Sequence, residues 1–312
     1  MKWSYSGGRS FRGCQRQWYY RNIVGVGQAK APERRRVHLL GKTDSISGWR
    51  GRLVDTLISD EIVARPSQGR EFPSFKDIIS IAEQRFQRQL AFARTNSVNN
   101  IDIDTKHPDF ALFRDDDVIS EDDFSRAWEE VQRALRTLYQ SDVVKQVIKD
   151  ADLLVAQRSL QFKIMDDITV VAIPDLVAFE LGCQPTIIDW KVHAHGTHDA
   201  WLQLATYALA IERCTPHRDW SDFFEKIERT ASNIRLIEVQ LLTGAVRAHR
   251  LTEDDFAAAE EFLESTAYEM ACLVDGRKFD EFNVEEFLQA RSPEACDACS
   301  YRPLCRETVD AD

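Results

Sequence analysis

The sequence contains no run of about 18 consecutive apolar residues, the length a helix needs to cross a bilayer, so a helical membrane protein is excluded and no membrane partner is expected. Its first residues, MKWSYSGGRSF, lack the apolar core of a secretory leader, which makes the cytoplasm the expected compartment. Internal repeats and low-complexity segments are also absent, which argues against a solenoid or a disordered tail. No glycine-rich Gly-x4-Gly-Lys-Ser/Thr loop occurs, so the chain carries no recognisable nucleotide-driven motor. What it has is ordinary for a globular fold: 312 residues, 44% hydrophobic and 29% charged, enough for one large domain or two intimate ones around a sizeable core.

The net charge of −11 conceals a strong asymmetry. Residues 1–52 hold twelve Lys and Arg against two acids, so that segment is +10 and the remainder −21. A basic stretch on an acidic body can attract phosphate locally. Trp3, Tyr5, Phe11, Trp18, Tyr19 and Tyr20 lie among its arginines, a mixture suited to stacking on single-stranded nucleic acid. The alternative is that these rings pack the N-terminus onto the core while the arginines face water.

The stretch from Val170 to Glu212 carries the chemistry. Val170–Phe179 and Thr186–Val192 read as strands, the first broken by Pro174-Asp175 and the two separated by a turn at Gly182 and Pro185. Residues i and i+2 of a strand share a face about 6 to 7 Å apart, so Asp189 and Lys191 point one way and Trp190 into the packing. A hairpin brings Asp175 beside them. Two acidic side chains and the Trp190 carbonyl suit a hard cation, Mg²⁺ or Mn²⁺, that keeps positions open for water and phosphate oxygens. Lys191 then stands where it can orient a water or hold a phosphate. On the helix that follows, Gln203 and Tyr207 are spaced i, i+4 and share one face.

Pro174-Asp175, then Asp189-Trp190-Lys191, then Gln203-x3-Tyr207 resembles the PD-(D/E)XK nuclease superfamily, in its RecB-like branch. The resemblance implies a restriction-endonuclease-like α/β core, a central mixed sheet flanked by helices. It also implies metal-binding acids at Asp175 and Asp189, a catalytic lysine at Lys191, and a supporting pair at Gln203 and Tyr207. In this branch a glycine is usually followed by a metal-binding histidine on an earlier helix. Here the helix read over Ser47–Ile62 has Gly51-Arg-Leu-Val and then Asp55, so Asp55 is the expected substitute ligand, with metal preference and activity in question.

Seven cysteines need placing. Cys296, Cys299 and Cys305 form C-x2-C-x5-C in an irregular, proline-containing segment, which favours a metal over disulfides. Cys14 is the natural fourth ligand, since Cys183 sits in the turn between the two strands and Cys214 and Cys272 lie in or beside apolar helical stretches. The residues alone leave Zn²⁺ and an iron–sulfur cluster both open. Iron–sulfur members of the RecB-like branch, including the CRISPR-associated adaptation exonuclease and the AddB nuclease domain, bracket the nuclease with one early cysteine and such a triplet. That resemblance implies a 4Fe-4S cluster held by Cys14, Cys296, Cys299 and Cys305, clipping the N- and C-terminal segments together.

Four segments are expected: 1–65, a basic N-terminal arm with the first cluster cysteine and first core helix; 66–152, a helical insertion; 153–275, the nuclease core; and 276–312, the iron–sulfur segment. Within the insertion, Phe75–Ala93 has helical spacing and Ser120-Glu-Asp-Asp123 resembles a capping box for a helix through Tyr139. Leu153–Ile164 reads as one strand with a turn at Asp166-Asp167, and Ile234–Leu242 with Ala245–Leu251 as a hairpin around Thr243-Gly244. Thr252-Glu-Asp-Asp255 should cap a helix to about Val274. Asp115-Asp116-Asp117 reads as a solvated charge run, and His193, His195 and His198 as lining of the approach to the site.

The expected function is a Mg²⁺- or Mn²⁺-dependent deoxyribonuclease. Family likeness points to an exonuclease on single-stranded DNA or DNA ends in repair, recombination or CRISPR adaptation, with a helicase or other partner for unwinding. The alternative is a catalytically weak or inactive nucleic-acid-binding adaptor in a larger assembly.

Overall fold

The computed structural model describes residues 1–67, 71–114, 117–165, 168–192, 200–215, 217, 226–290 and 292–309. The expected turn at Asp166-Asp167, the acids Asp115 and Asp116, and His193, His195 and His198 lie outside the described residues. The chain forms two compact units, each assembled from separate stretches: one from Met1–Tyr5, Arg50–Gln84 and Glu121–Glu264, the other from Ser6–Trp49, Arg85–Ser120 and Ser265–Asp312.

The first unit holds both sheets. Its strands in chain order are β1 (Lys2–Trp3), β2 (Leu153–Ala156), β3 (Leu160–Met165), β4 (Ile168–Ala172), β5 (Leu176–Phe179), β6 (Thr186–Lys191), β7 (Arg235–Gln240) and β8 (Val246–His249). One sheet runs β1-β4-β3 and the other β2-β5-β6-β7-β8. In the larger sheet only the β6–β7 pairing is parallel. A parallel neighbour needs a crossover, and the helix Ala200–Arg213 lies in that connection, packed against β3, β4 and β6.

Two long runs are each divided between the sheets, one read as a single strand and the other read with a break. Leu153–Ile164 breaks at Gln157, whose positive φ of 51° turns the chain, so β2 joins the larger sheet and β3 the smaller. Val170–Phe179 breaks at Pro174-Asp175, which separates β4 from β5. The β5–β6 hairpin forms as expected, its turn carried by Gly182 at φ +80°, a conformation glycine adopts without steric cost. The β7–β8 hairpin turns at Gly244, φ +79°. β7, between β6 and β8, is buried from Leu236 to Gln240 on both of its faces, while β8 at the edge is largely exposed.

The helix carrying Asp55 spans Ile46–Leu57 and continues as a π-helical segment over Ile58–Val63. Leu53, Val54, Leu57 and Ile58 are fully buried, as its apolar side required. Helices Phe75–Thr95 and Glu121–Gln140 occupy the segment read as helical, joined by an additional helix, Asp142–Asp150, whose N-cap Ser141 accepts from Val144 N. The box at Thr252 is realised: Asp255 N donates to Thr252 Oγ1 at 3.2 Å, Thr252 N donates to Asp255 Oδ2 at 2.7 Å, and the helix runs Glu253–Val274.

In the second unit the N-terminal helices Tyr5–Gly13 and Gln15–Tyr19 are tied to the chain around residues 282–301. Tyr19 stacks on Phe287 with centroids 4.3 Å apart, and Tyr20 on Tyr301 at 5.7 Å. Arg16 is buried; it donates to the Phe287 carbonyl at 3.1 Å and pairs with Glu285 at 2.5 Å. Stacking of the N-terminal aromatics on nucleic acid is therefore corrected: Trp3, Tyr5, Phe11, Trp18, Tyr19 and Tyr20 are all buried in protein. Several arginines close their own fold. Arg34 donates to the Ile23 and Val24 carbonyls and lies 3.9 Å over the Phe279 ring, while Arg35 donates to the Ile101 and Ile103 carbonyls.

Candidate active site and cysteine cavity

The β5–β6 register sets Leu176 opposite Ile188, so Asp175, one residue before β5, falls beside Asp189. Its Oδ2 accepts from the Trp190 backbone N–H at 3.0 Å, tying the chain break to β6. Asp189 is 1% exposed. Lys191 Nζ lies 2.7 Å from Asp189 Oδ2, and this ammonium is the partner of that buried carboxylate. The lysine is held from its other side: Nζ donates to Gln203 Oε1 at 2.9 Å, and Gln203 Nε2 donates to Tyr207 Oη at 2.6 Å. The i, i+4 pair thus forms a relay that fixes the ammonium.

Asp55 reaches the same site. Its Oδ1 accepts from the Trp190 indole Nε1 at 2.9 Å and from Gln157 Nε2 at 3.0 Å, and its Oδ2 lies 3.2 Å from the same amide. The Trp190 ring was expected to point into the packing, with its carbonyl toward the metal. It is buried, but its indole N–H also holds an acid.

All three carboxyl groups are pushed above the usual range. For Asp175 burial is the main cause, with the neighbouring acids Asp189 and Asp55 adding to it and Lys191 opposing. For Asp189 burial again dominates against Lys191, and for Asp55 burial outweighs the donors Trp190 and Gln157. Tyr207 is held neutral by burial first and then by Asp175 and Asp189.

Several polar residues of this site were missed by the sequence reading. Gln157 bridges Asp55 and Asp175, donating to Asp175 Oδ1 at 3.2 Å. Glu238, fully buried on β7, registers with Asp189 and accepts from His249 Nε2 at 3.0 Å and from Gln240 Nε2. Gln240 registers with Lys191, and its Oε1 is buried without a donor. Glu238 and Gln240 repeat, in an apolar strand, the i, i+2 polar spacing of Asp189 and Lys191; that was the available signal.

The family profile of the PD-(D/E)XK nuclease superfamily matches residues 2–306, nearly the whole chain. The chain belongs to the PD-(D/E)XK nuclease superfamily. No curated protein matches it significantly. Membership implies nuclease activity in general on DNA, and members typically use divalent metals such as Mg²⁺. The mixed α/β architecture agrees with such a core. Among the described residues no helix is long and apolar enough to cross a membrane.

The donor set fits a divalent cation: Asp189 is a hard, buried carboxylate whose partner among the described residues is the Lys191 ammonium, and Asp175 and Asp55 lie close enough to perturb one another. Among the described residues no three His, Cys, Asp or Glu side chains converge on a single ion. Asp55 and Asp175 are turned to N–H donors instead.

In the second unit Cys14, Cys296, Cys299 and Cys305 line one cavity of about 460 Å³ together with Gln17, Tyr20 and Tyr301. Burial pushes the Cys299 thiol up to about 11, with Cys14, Cys305 and Cys296 adding to the rise, and burial then Cys14 raise Cys305. Thiols that resist ionisation because they are buried and crowded by one another fit a cationic group that would neutralise them together. Cys183 and Cys272 are exposed and Cys214 is buried, and none of these three lines the cavity.

Proposed function

We propose that the protein is a Mg²⁺- or Mn²⁺-dependent deoxyribonuclease whose site is Asp175, Asp189 and Lys191, with Asp55 and the Trp190 carbonyl completing the metal shell and Gln203 and Tyr207 supporting the lysine. The observation that carries this reading is Asp189: a carboxylate buried close to two further acids, Asp175 and Asp55, and contacted at 2.7 Å by a lysine that is itself held by a glutamine. Three acids crowded around one ammonium leave buried negative charge that a single lysine does not offset. A divalent cation at these acids would polarise the scissile phosphate and acidify water. Lys191, held on the side of Gln203, is placed to orient the nucleophile or to stabilise phosphate charge as a compact ammonium. Tyr207, kept protonated, anchors Gln203 and so the lysine's direction. Family likeness extends the reading to exonuclease action on single strands or DNA ends in repair, recombination or CRISPR adaptation, with an unwinding partner.

The same likeness assigns a 4Fe-4S cluster to Cys14, Cys296, Cys299 and Cys305. A single tetrahedral zinc needs four sulfurs drawn in to about 2.3 Å from one ion. In a four-iron cluster each thiolate meets a different iron; the cavity that the four cysteines share supports a group held by all of them. The competing adaptor reading draws its support from Asp55, whose oxygens are already occupied by Trp190 and Gln157. A gel assay on single-stranded and duplex DNA decides: cleavage dependent on Mn²⁺ or Mg²⁺ is expected, and failure of cluster-loaded protein to cut either substrate gives the adaptor reading the site.

If Asp55 is a ligand, Asp55→Asn should raise the Mn²⁺ concentration for half-maximal cleavage by about tenfold or more. Asp55→His should keep part of the Mn²⁺-dependent activity, since imidazole also takes Mn²⁺. Equal half-saturation in all three proteins would remove Asp55 from the shell.

The raised carboxyl pKa values of Asp175 and Asp189 set a pH dependence. Their folded values lie above the unfolded 3.8, so their contribution to metal-free stability is complete below about pH 4 and is lost as pH rises through the folded values. A cation binds the ionised form and reverses the loss. The thermal shift between EDTA and saturating MgCl₂ should therefore grow with rising pH in wild type. In Asp189→Asn it should be small at every pH. A wild-type shift independent of pH would contradict this account.

A further inference from the structure

Gln157 and Asp275 are the non-glycine residues described with positive φ, and Gln157 lies at the nuclease site. At φ +51° a glutamine is strained, and glycine would serve the turn between β2 and β3 at less cost. The backbone anchors the residue to the break that carries Asp175: its N–H lies 3.2 Å from the Pro174 carbonyl and 3.3 Å from that of Asp175. The side chain does something the turn does not need. Its one amide nitrogen sits 3.0 and 3.2 Å from the two oxygens of Asp55 and 3.2 Å from Asp175 Oδ1, so two acids from distant parts of the chain share a single NH₂ group. Two like charges brought together in a buried site repel, and a neutral double donor holds them side by side without consuming either charge.

We propose that Gln157 is a positioning residue for the divalent cation, presetting Asp55 and Asp175 as a ligand pair. The proposal rests on the reading of those acids as ligands given above. A side chain that orients ligands sets affinity for the ion more than the rate once the ion is bound. The strained turn then has a reason, because backbone strain at a site persists where the geometry it imposes is used.

The test uses Gln157→Gly, which keeps the turn conformation and removes the amide, with Gln157→Asn as a second variant that tolerates the same φ but is one methylene shorter. Melting in EDTA reports whether each variant folds. Titration calorimetry with Mn²⁺ should show affinity weakened by about tenfold or more in both. The Mn²⁺ concentration for half-maximal cleavage should rise by the same factor, while kcat at saturating Mn²⁺ and DNA affinity in EDTA stay unchanged. Asp175→Ala runs in parallel. If it leaves Mn²⁺ affinity intact, the ligand reading fails and the proposal with it. If Asp175→Ala weakens Mn²⁺ binding and Gln157→Gly does not, or if Gln157→Gly lowers kcat alone, Gln157 is a turn residue and the proposal is overturned.

Discussion

Asp189→Ala is expected to abolish cleavage, by about 10³-fold or more, while leaving DNA binding in EDTA and the colour expected of the proposed cluster unchanged. The side chain removed is buried and its partner is the Lys191 ammonium, so little of the fold depends on it beyond that contact. Lys191→Ala should cost about 10²–10⁴-fold in turnover, the range for one positioned proton-transfer or charge-stabilising group. It should retain Mn²⁺ binding, because an ammonium is not a ligand. The two variants therefore separate on one measurement, Mn²⁺ titration, even where both are inactive. Equal loss of Mn²⁺ affinity in both would mean that the lysine only holds Asp189 in place. Cleavage by Asp189→Ala at the wild-type rate would remove the site altogether. Gln203→Ala should fall between, since it frees the ammonium without deleting it.

The parts of this site that were legible in the sequence are those fixed by short-range geometry. Asp189 and Lys191 are two apart on a strand, Gln203 and Tyr207 four apart on a helix, and Asp175 meets them across a hairpin with a short turn. Each relation follows from the repeat of the element that carries it. Gln157 was illegible for the opposite reason. A glutamine in the left-handed region has no composition signal, so the run from Leu153 read as one strand. Glu238 stood in an apolar strand, but its pairing with Asp189 depends on the register of a parallel crossover, which no local spacing specifies. The N-terminal segment shows the limit of charge counting. Twelve cations among aromatics suggested an exposed surface, yet a ring says nothing of which side it faces, and arginines serve carbonyl groups and aromatic faces inside a fold as readily as phosphates outside it.

Cys299→Ser should give the largest loss of stability. Anaerobically prepared wild type is expected to be brown, with iron and acid-labile sulfide in equal amounts, and the variant colourless. The size of the effect follows from chain topology. Cys14 and Cys296 stand near opposite ends of the sequence, and closing so long a loop removes entropy from the unfolded chain worth about 5–6 kcal/mol in the chain-entropy account. The second unit has other ties across the same ends: Arg16 to Phe287 and Glu285, Tyr19 on Phe287, and Tyr20 on Tyr301. Those contacts should keep the variant folded at low temperature while its melting point falls by about 10 °C. The first unit, which holds Asp175, Asp189 and Lys191, should still bind Mn²⁺ after the cofactor is lost. Cys183→Ser, at an exposed thiol outside the cavity, is the control and should change neither colour nor melting. Colourless wild type carrying one zinc per chain would replace the cluster with a zinc site. A bleached Cys299→Ser with an unshifted melting point would mean that the aromatic and arginine contacts alone hold the ends together.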